Sequence, residues 1–541
     1  MRPRIAAHTR TVLAQAMLDN APARGPANAQ TPGEALLSSP AAKTMITLAT
    51  LNARYIHAAL GLRYLLANLG PLQAKARLRE FTIHDRPQDI AEALLADAPR
   101  IVGLGVYIWN VAQTQALVEL LRRLAPELVI VVGGPEVSYE LDAQPWLAQV
   151  DYVIRGEGEL AFARLCARVL AGQRPLTRVL DGGLPDLDAL TLPYSRYDAD
   201  DLEHRTLYVE ASRGCPYRCE FCLSSLDKKV RAFPLEPLLA AFDELLARGA
   251  RQFKFVDRTF NLDIRRSAAI LEFFLARLRP GLFLHFELVP DRLPEALRGL
   301  IARFPPGSLQ FEIGIQTLDP EVGARISRRQ RLDATFANLE FLRSQTNVHL
   351  HVDLIIGLPG EDLESFGRGL DRLVAAGVQE IQVGVLKRLR GTPIDRHSEA
   401  FGQLYEPRPP YALLANDVID FATMQRLRRF AQVWDRFWNR GEFPRMMRRL
   451  WAGGSPFART LALSDWLFAQ VGRVHAISQA NRGRYLARHL SEALAVPLVE
   501  VEALIAADCE AAGRATPRLT VARRARSKRE APPKRQRQWL R

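Results

Sequence analysis

The sequence predicts an α/β protein in three parts: an N-terminal Rossmann-like doubly wound parallel sheet, a central partial (β/α)6 TIM-like barrel and a helical C-terminal region. Three observations predict it. Short apolar runs alternate with amphipathic stretches over residues 45–170, as buried parallel strands alternating with helices do. A second alternation, over 206–396, has strands that are polar on one face and apolar on the other. Beyond Pro407-Arg408-Pro409-Pro410 the apolar spacing of residues 409–512 is helical. A length of 541 residues leaves room for such parts at roughly 150 residues each.

In the first part the strand candidates are Ile46 to Leu51, Arg77 to Thr82, Ile101 to Val106, Leu128 to Val132 and Tyr152 to Ile154. Helices are expected at Ala58 to Leu69, Gln88 to Ala96, Val111 to Leu124 and Glu159 to Leu170, where apolar residues recur every three or four positions. Doubly wound sheets bind ligands at the carboxyl ends of their strands. Those ends carry Asn52-Ala53-Arg54-Tyr55, Gly103 and Gly105 before Tyr107, Gly133-Gly134-Pro135, and Gly156-Glu157-Gly158-Glu159. Tight strand-to-helix turns would also place glycines there. Residues 171–205, with Gly182-Gly183-Leu184-Pro185 and Leu192-Pro193, read as a linker.

The second alternation is strictest in Leu309 to Gln316, where Gln310, Glu312, Gly314 and Gln316 share one face. The same split puts Glu210 with Ser212, His285 with Glu287, His351 with Asp353, and Gln382 with Gly384. Helical stretches such as Leu235 to Leu246, Ser267 to Leu278 and Phe366 to Leu373 can cover the apolar face. A barrel with an inward polar face follows, and such a lumen is built for a ligand. An antiparallel sheet with one wet face gives the same alternation, but it needs no helices between its strands.

Charge is unevenly placed. The 73 Lys and Arg against 59 Asp and Glu give +14. Residues 513–541 contribute +10 and residues 1–44 contribute +3, leaving +1 for 45–512. Nucleic acid or acidic partners are therefore expected only at the tail, which otherwise reads as a solvated, disordered extension. Residues 1–44 also read as disordered, and Met45, directly before the first strand, is an expected alternative start. Five cysteines exclude a disulfide scaffold and point to the cytoplasm. No apolar run reaches the roughly 18–20 residues of a membrane span.

Three of those cysteines stand together in Arg213-Gly214-Cys215-Pro216-Tyr217-Arg218-Cys219-Glu220-Phe221-Cys222, directly after a barrel strand. Three thiolates on one loop suit a metal or an iron–sulfur cluster, and a four-iron cluster so held keeps one corner open to a small molecule. A closed zinc site is the alternative, needing a fourth ligand; neither Cys166 nor Cys509 is near in sequence, and His204 or a distant group could serve.

This C-x3-C-x2-C motif, with Phe221 before the last cysteine, resembles that of the radical S-adenosylmethionine (SAM) enzymes, over about Leu207 to Ile394. The resemblance implies that Cys215, Cys219 and Cys222 hold a [4Fe–4S] cluster whose fourth iron chelates SAM, and that an external electron donor triggers release of a 5′-deoxyadenosyl radical. It implies further that Phe221 packs near adenine and that Asp257, in Val256-Asp257-Arg258-Thr259-Phe260-Asn261, stands at the methionine end of SAM. The family's Gly-Gly-Glu is absent there, and a helix cap is the other reading of Asp257. Glu312 and Gln316 match the segment that bonds ribose, and Asp353, in D-L-I-I-G-L-P-G-E, the segment beside adenine.

Residues 45–170 look like the cobalamin-binding domain that precedes the barrel in one class of that family, with Gly133, Gly134 and Gly156 at its glycine turns. The usual D-x-H-x-x-G departs to Tyr55-Ile56-His57-Ala58-Ala59-Leu60-Gly61, so cobalamin bound without a protein histidine, and a capping or packing role for His57, are expected. Residues 409–512 resemble the helical region of an uncharacterised subgroup, with Trp434, Phe437, Trp438 and Trp451 expected in a core.

The function these resemblances imply is radical methylation, or a related rearrangement, of an unknown, small-molecule-class substrate. Two alternatives stand beside it. A tRNA-modifying methylthiotransferase would need three further cysteines before the barrel, where only Cys166 precedes Cys215. A cobalamin- or metal-sensing protein without turnover would need no open iron corner.

Overall fold

The computed structural model describes residues 44–514 and Thr516; the extension 1–43 and nearly all of the basic tail, with the expectations placed on them, lie outside the described residues. The described chain divides into two compact units, 44–431 and 432 onward.

The larger unit opens with six parallel strands: β1 (Ile46–Asn52), β2 (Ala76–Thr82), β3 (Ile101–Gly105), β4 (Val129–Gly133), β5 (Tyr152–Arg155) and β6 (Val179–Asp181). Their order is β2-β1-β3-β4-β5-β6, so the chain reverses direction across the sheet between β1 and β3. Successive residues of β1 feed opposite cores: Ile46 and Leu48 pack with Ile101, Val129 and Phe162, whereas Ala49 and Leu51 pack with Val102, Leu104 and Ile130. Burial on both faces explains why these strands read as continuous apolar runs. One correction concerns residues 171–205. They are not a bare linker, because Val179–Asp181 adds the sixth strand beside β5 and Ala199–His204 is a short helix with an Asp198 capping box.

The barrel strands are β7 (Leu207–Val209), β10 (Gln252–Phe255), β11 (Phe283–Leu288), β12 (Leu309–Gln316), β13 (His349–Ile356) and β14 (Glu380–Val385). All pair in parallel in chain order, leaving β7 and β14 as edges, and helices lie between them in sequence. Buried Phe253, Phe255, Leu284, Phe286, Phe311 and Leu350 form the apolar alternates of these strands. Between β7 and β10 a two-residue antiparallel hairpin, β8 (Ser212–Arg213) with β9 (Arg231–Ala232), brackets the cysteine loop. The first barrel strand thus stops three residues earlier than its alternation suggested.

The helical C-terminal region begins later than residue 409. Leu404–Tyr405 and Leu413–Ala415 pair as an antiparallel hairpin, and the first helix is Phe421–Trp434. In the second unit, helices Pro444–Trp451, Pro456–Val471, Gln479–Leu494 and Leu498–Ala511 follow a π-helical turn, Asp435–Asn439. Trp434 and Trp451 stack at 5.5 Å, and with Phe437 they are buried as core. No described helix is long and apolar enough to cross a membrane.

Candidate functional site

The cysteine loop leaves β8 through Gly214, whose φ of +89° and whose position, with a Cβ 2.4 Å from the Lys229 carbonyl oxygen, admit no side chain. The Cys215 amide donates to Asp227 O (2.8 Å) and the Cys222 amide to Cys219 O (3.1 Å), while Ser225 Oγ lies 2.9 and 2.6 Å from the carbonyl oxygens of Cys219 and Cys222. Cys215 and Cys219 are buried and Cys222 is partly so. Burial pushes the Cys215 thiol up, and the neighbouring Cys222 and Cys219 push it the same way.

Segments far away in sequence close over this loop. An Arg328 nitrogen lies 3.2 Å from Cys219 Sγ, and the same guanidinium donates to the Gly314 carbonyl at the end of β12. The buried Glu220 carboxylate accepts from Ser327 Oγ (2.7 Å), contacts His397 Nε2 (2.7 Å) and pairs with Arg396. Among the described residues no three His, Cys, Asp or Glu side chains are grouped to hold a single metal ion. The donor set of three soft thiols, with cations at Arg328 and Arg258, fits a multi-iron cluster.

Inside the barrel the register lines the alternate residues of each strand into rows. One row is Tyr208, Lys254, His285, Gln310 and His349; a second is Glu287, Glu312, His351 and Glu380; a third is Gly314, Asp353 and Gln382. The rows are wired to one another. Glu312 Oε2 takes His285 Nε2 at 2.8 Å and Lys254 Nζ at 3.4 Å. Burial alone would raise the Glu312 carboxyl, but the bond from His285 and the Lys254 charge outweigh it and hold it well below the usual range. Asp353 receives Gln382 Nε2 at 3.1 Å and lies 3.2 Å from His351 Nε2. Arg258 pairs with Glu287 at 2.9 Å.

The residues expected to touch SAM fall in two groups. Glu312 and Asp353 share the polar face, whereas the register shifts after Gly314, so that Gln316, which ends β12 with φ +72°, pairs with Leu354 and leaves the alternation the sequence predicted. Asp257 is fully committed: it accepts from the Ala211 amide (2.9 Å) and Ser212 Oγ (2.6 Å), and burial pushes its carboxyl up to about 7. It borders, with Ser212, Thr259, Phe260, Asp263 and Arg266, a cavity of about 250 Å³. The helix cap that follows is supplied by Asp263, which accepts from the Arg266 amide, so the capping alternative for Asp257 does not hold. Phe221 is partly buried. Glu210 and Ser212, expected on the lumen face, are drawn elsewhere because the strand breaks after Val209: Glu210 bonds Arg213 and Ser212 bonds Asp257.

At the reversal point of the first sheet, the carboxyl ends of β1 and β3 carry exposed Tyr55 (53%) and Trp109 (46%), the latter stacked on Tyr107 at 4.5 Å. Gly134 has φ +113°, and a Cβ there would stand 2.5 Å from Val106 O. Gly133 accepts from the Val106 amide (2.8 Å), and Gly156 turns left-handed at φ +73° with its amide on Ser138 Oγ (3.3 Å). The glycines are thus required by close packing of the turns on the chain's own backbone, and it is the exposed Tyr55 and Trp109 at these ends that fit a broad, flat cofactor. His57 does not stand free: its Nδ1 lies 2.7 Å from Tyr208 Oη, and burial lowers its pKa. Arg205 holds the same loop by donating to His57 O (2.6 Å) while pairing with Glu80.

The sequence reading missed Arg328, Arg258, Lys254, Tyr208 and Glu380, and the role of Glu157 and Glu159. Arg213, just before Cys215, pairs with Glu157 (2.7 Å), Glu159 (2.8 Å) and Glu210 (2.8 Å), and Arg231 also pairs with Glu157. The alternation of their short strands is the signal that could have found Tyr208 and Lys254, whereas nothing local marks Arg328, 109 residues from Cys219.

Residues 46–166 match the model of the B12-binding domain, residues 209–373 that of the radical SAM superfamily, and residues 399–509 a family described as a protein of unknown function (DUF4080). An uncharacterised methyltransferase of Pyrococcus horikoshii, PH0819, is 26% identical over 313 residues, covering 51% of this chain and 64% of that one. The cobalamin-dependent radical SAM methyltransferase TokK of Streptomyces tokunonensis is 25% identical over 364 residues, covering 60% of this chain and 52% of that one. This chain thus spans about half to just under two thirds of the length of these relatives. The cobalamin-dependent SAM radical enzyme OxsB, solved with aqua-cobalamin and SAM, shares the fold with a TM-score of 0.58 at 15% identity, over 85% of this chain and 80% of its own. The chain carries a B12-binding domain followed by a radical SAM domain.

Proposed function

We propose that this chain, a B12-binding domain joined to a radical SAM domain, is a cobalamin-dependent radical SAM enzyme that methylates a carbon of a polar small molecule. The observation that carries the reading is the three-cysteine loop, two of its thiols buried, at the mouth of a barrel with a polar, ligand-ready lumen. When bound, the [4Fe–4S] cluster, SAM and cobalamin would together supply a 5′-deoxyadenosyl radical and a transferable methyl group. Cys215, Cys219 and Cys222 would hold the cluster, and Arg328 and Arg258 would offset its charge. Phe221, Glu312, Gln316 and Asp353 position SAM, with Asp257 bracing the strand end beside it. The turns at Gly133, Gly134 and Gly156 receive the corrinoid.

A lumen lined by His285, Glu287, His351 and Glu380 favours a substrate with hydrogen-bonding groups over an apolar one, because an apolar ligand would strip water from these polar groups and give no hydrogen bond in return. TokK supports the choice of methylation by its name, and the sensor reading has no use for the open cluster corner. We place the enzyme in the cytoplasm, where its free thiols stay reduced.

The test is anaerobic reconstitution with iron and sulfide, followed by SAM, cobalamin and dithionite. Formation of 5′-deoxyadenosine by the wild type, and its loss in Cys215→Ala, Cys219→Ala and Cys222→Ala but not in Cys166→Ala, is expected. No product with wild type, or undiminished product from Cys219→Ala, would overturn the enzymatic reading; failure to retain corrinoid would overturn its cobalamin dependence.

A further inference from the structure

The hairpin that brackets the cysteine loop sets two arginines against each other. Arg213 of β8 and Arg231 of β9 are direct partners in the antiparallel register, two positions before Cys215 and nine after Cys222. Like charges directly opposite each other destabilise such a pair. Each guanidinium has acids of its own, Glu159 and Glu210 for Arg213 and Asp227 for Arg231. Among the described contacts one carboxylate touches both: Glu157 takes Arg213 at 2.7 Å through Oε2 and pairs with Arg231 through Oε1. The Arg213, Glu157 and Arg231 side chains are only 13%, 18% and 12% exposed, so salt and water screen this bridge less than a surface pair.

Glu157 is not part of the barrel. It stands in the turn after β5, where the Gly156 amide donates to Ser138 Oγ (3.3 Å) and the same hydroxyl donates to the Gly134 carbonyl (2.9 Å). On its other side the turn is seated against β6: the Gly182 amide donates to Arg155 O (2.8 Å), and a Cβ on Gly182 would stand 2.1 Å from the Glu157 carbonyl oxygen. On the barrel side, the Asp227 carboxylate pairs with Arg231 while its carbonyl accepts from the Cys215 amide. The base of the cysteine loop is therefore joined to the Gly134 and Gly156 turns of the first sheet by an unbroken series of hydrogen bonds and ion pairs, with Glu157 at its centre.

We propose that Glu157 is a positioning residue that closes the cysteine loop from the first sheet, so that a corrinoid seated at the Gly134 and Gly156 turns slows the loss of iron from Cys215, Cys219 and Cys222. The inference rests on the reading of those turns as the corrinoid site and of those thiols as cluster ligands. A ligand that holds the Gly156 turn fixes the Glu157 carboxylate where both arginines meet it. The hairpin at the base of the loop is then already ordered when the thiols take the cluster, and less conformational freedom remains to be lost. Coupling between two sites is reciprocal, so a filled cysteine loop tightens the corrinoid site by the same factor. Arg328 approaches Cys219 from the far side of the loop and takes no part in this series of contacts.

The test uses the full chain, anaerobic and with its cluster reconstituted, and hydroxocobalamin as the probe. Iron release to a chelator is timed with and without saturating hydroxocobalamin, whose binding is followed by its absorbance. Wild type should release iron at least about fivefold more slowly with the corrinoid bound, and should bind hydroxocobalamin at least about fivefold more weakly once stripped of iron. Glu157→Gln should release iron faster, and at one rate whether or not corrinoid is bound. The double variant Glu157→Gln/Arg231→Gln, whose hairpin no longer carries two facing charges, should recover slow release without recovering the response. Arg328→Ala, which loosens the cluster from outside this series of contacts, should release iron faster and still respond. Iron release from wild type that ignores bound hydroxocobalamin, or a wild-type response in either Glu157 variant, would overturn the proposal. A wild type that holds no iron, or no corrinoid, would instead overturn the cofactor reading on which it rests.

Discussion

Arg328 places a guanidinium nitrogen 3.2 Å from the sulfur of Cys219, across 109 residues of sequence. The same side chain donates to the Gly314 carbonyl, so it ties the cysteine loop to the end of β12, two residues beyond the lumen residue Glu312. Removing the guanidinium removes this hydrogen bond, which would be charge-assisted once Cys219 holds a cluster as a thiolate. Arg328→Ala is therefore expected to weaken cluster retention by about 1.5–3 kcal/mol, roughly ten- to a hundredfold. Iron release to a chelator checks this, and Arg328→Lys should recover part of the loss.

Gly134 answers for the first sheet. Its φ of +113° and the 2.5 Å approach of a would-be Cβ to Val106 O mean that alanine must push the β3 and β4 ends apart. Gly134→Ala should lower corrinoid retention at least about tenfold while leaving iron content in the barrel unchanged, a strain of about 1–3 kcal/mol. Absorbance of bound corrinoid after gel filtration, beside iron analysis, measures both.

Asp257 gives a pH signature. Burial raises its carboxyl to about 7 from an ordinary value of 3.8, so between those values the folded chain holds a proton that the unfolded chain has released. Stability from this group is complete below about pH 4 and falls as pH rises to about 7, with a slope of up to about 1.4 kcal/mol per pH unit. Asp257→Asn should lose that slope. Urea titrations of the apo chain at pH 5, 6 and 7 compare the two, and parallel curves would remove Asp257 as the titrating group.

Arg213 carries three carboxylates, Glu157, Glu159 and Glu210, and lies over the Tyr64 ring at 4.7 Å. Burial disfavours its charge, but Glu210 and Glu159 more than restore it, so its pKa stands above the ordinary value. Removing one partner of such a cluster strands the others: Arg213→Met should cost about 3–5 kcal/mol. Adding Glu210→Gln should return part of that loss, since one stranded charge is gone. Denaturant midpoints of the single and double variants test the sign.

Much of this was legible along the chain. The strict alternation of Leu309 to Gln316 marked a half-polar strand, and the register sets its polar residues beside those of β11 and β13. The cysteine loop was visible because its three thiols are local. The partner of Glu220 was not, since Ser327, Arg396 and His397 come from segments with no periodicity or spacing relative to the loop. The end of β7 was misjudged for a related reason: Glu210 and Ser212 fit the alternation, but Arg213 and Asp257 draw them out of the lumen.

The sequence by itself determined most strands and helices of the first sheet and barrel, which strand faces are polar and where the thiols stand, because hydrophobic period and residue spacing act over a few residues; Val179–Asp181 and the two hairpins are too short for a period to show. Only the tertiary structure decided that His57 is engaged by Tyr208, that Glu157 and Glu159 meet Arg213, and that Arg328 meets Cys219. Those pairings are electrostatic and hydrogen-bonded contacts between chain segments brought together by folding. Their strength depends on distance and burial, neither of which is written in the order of the residues.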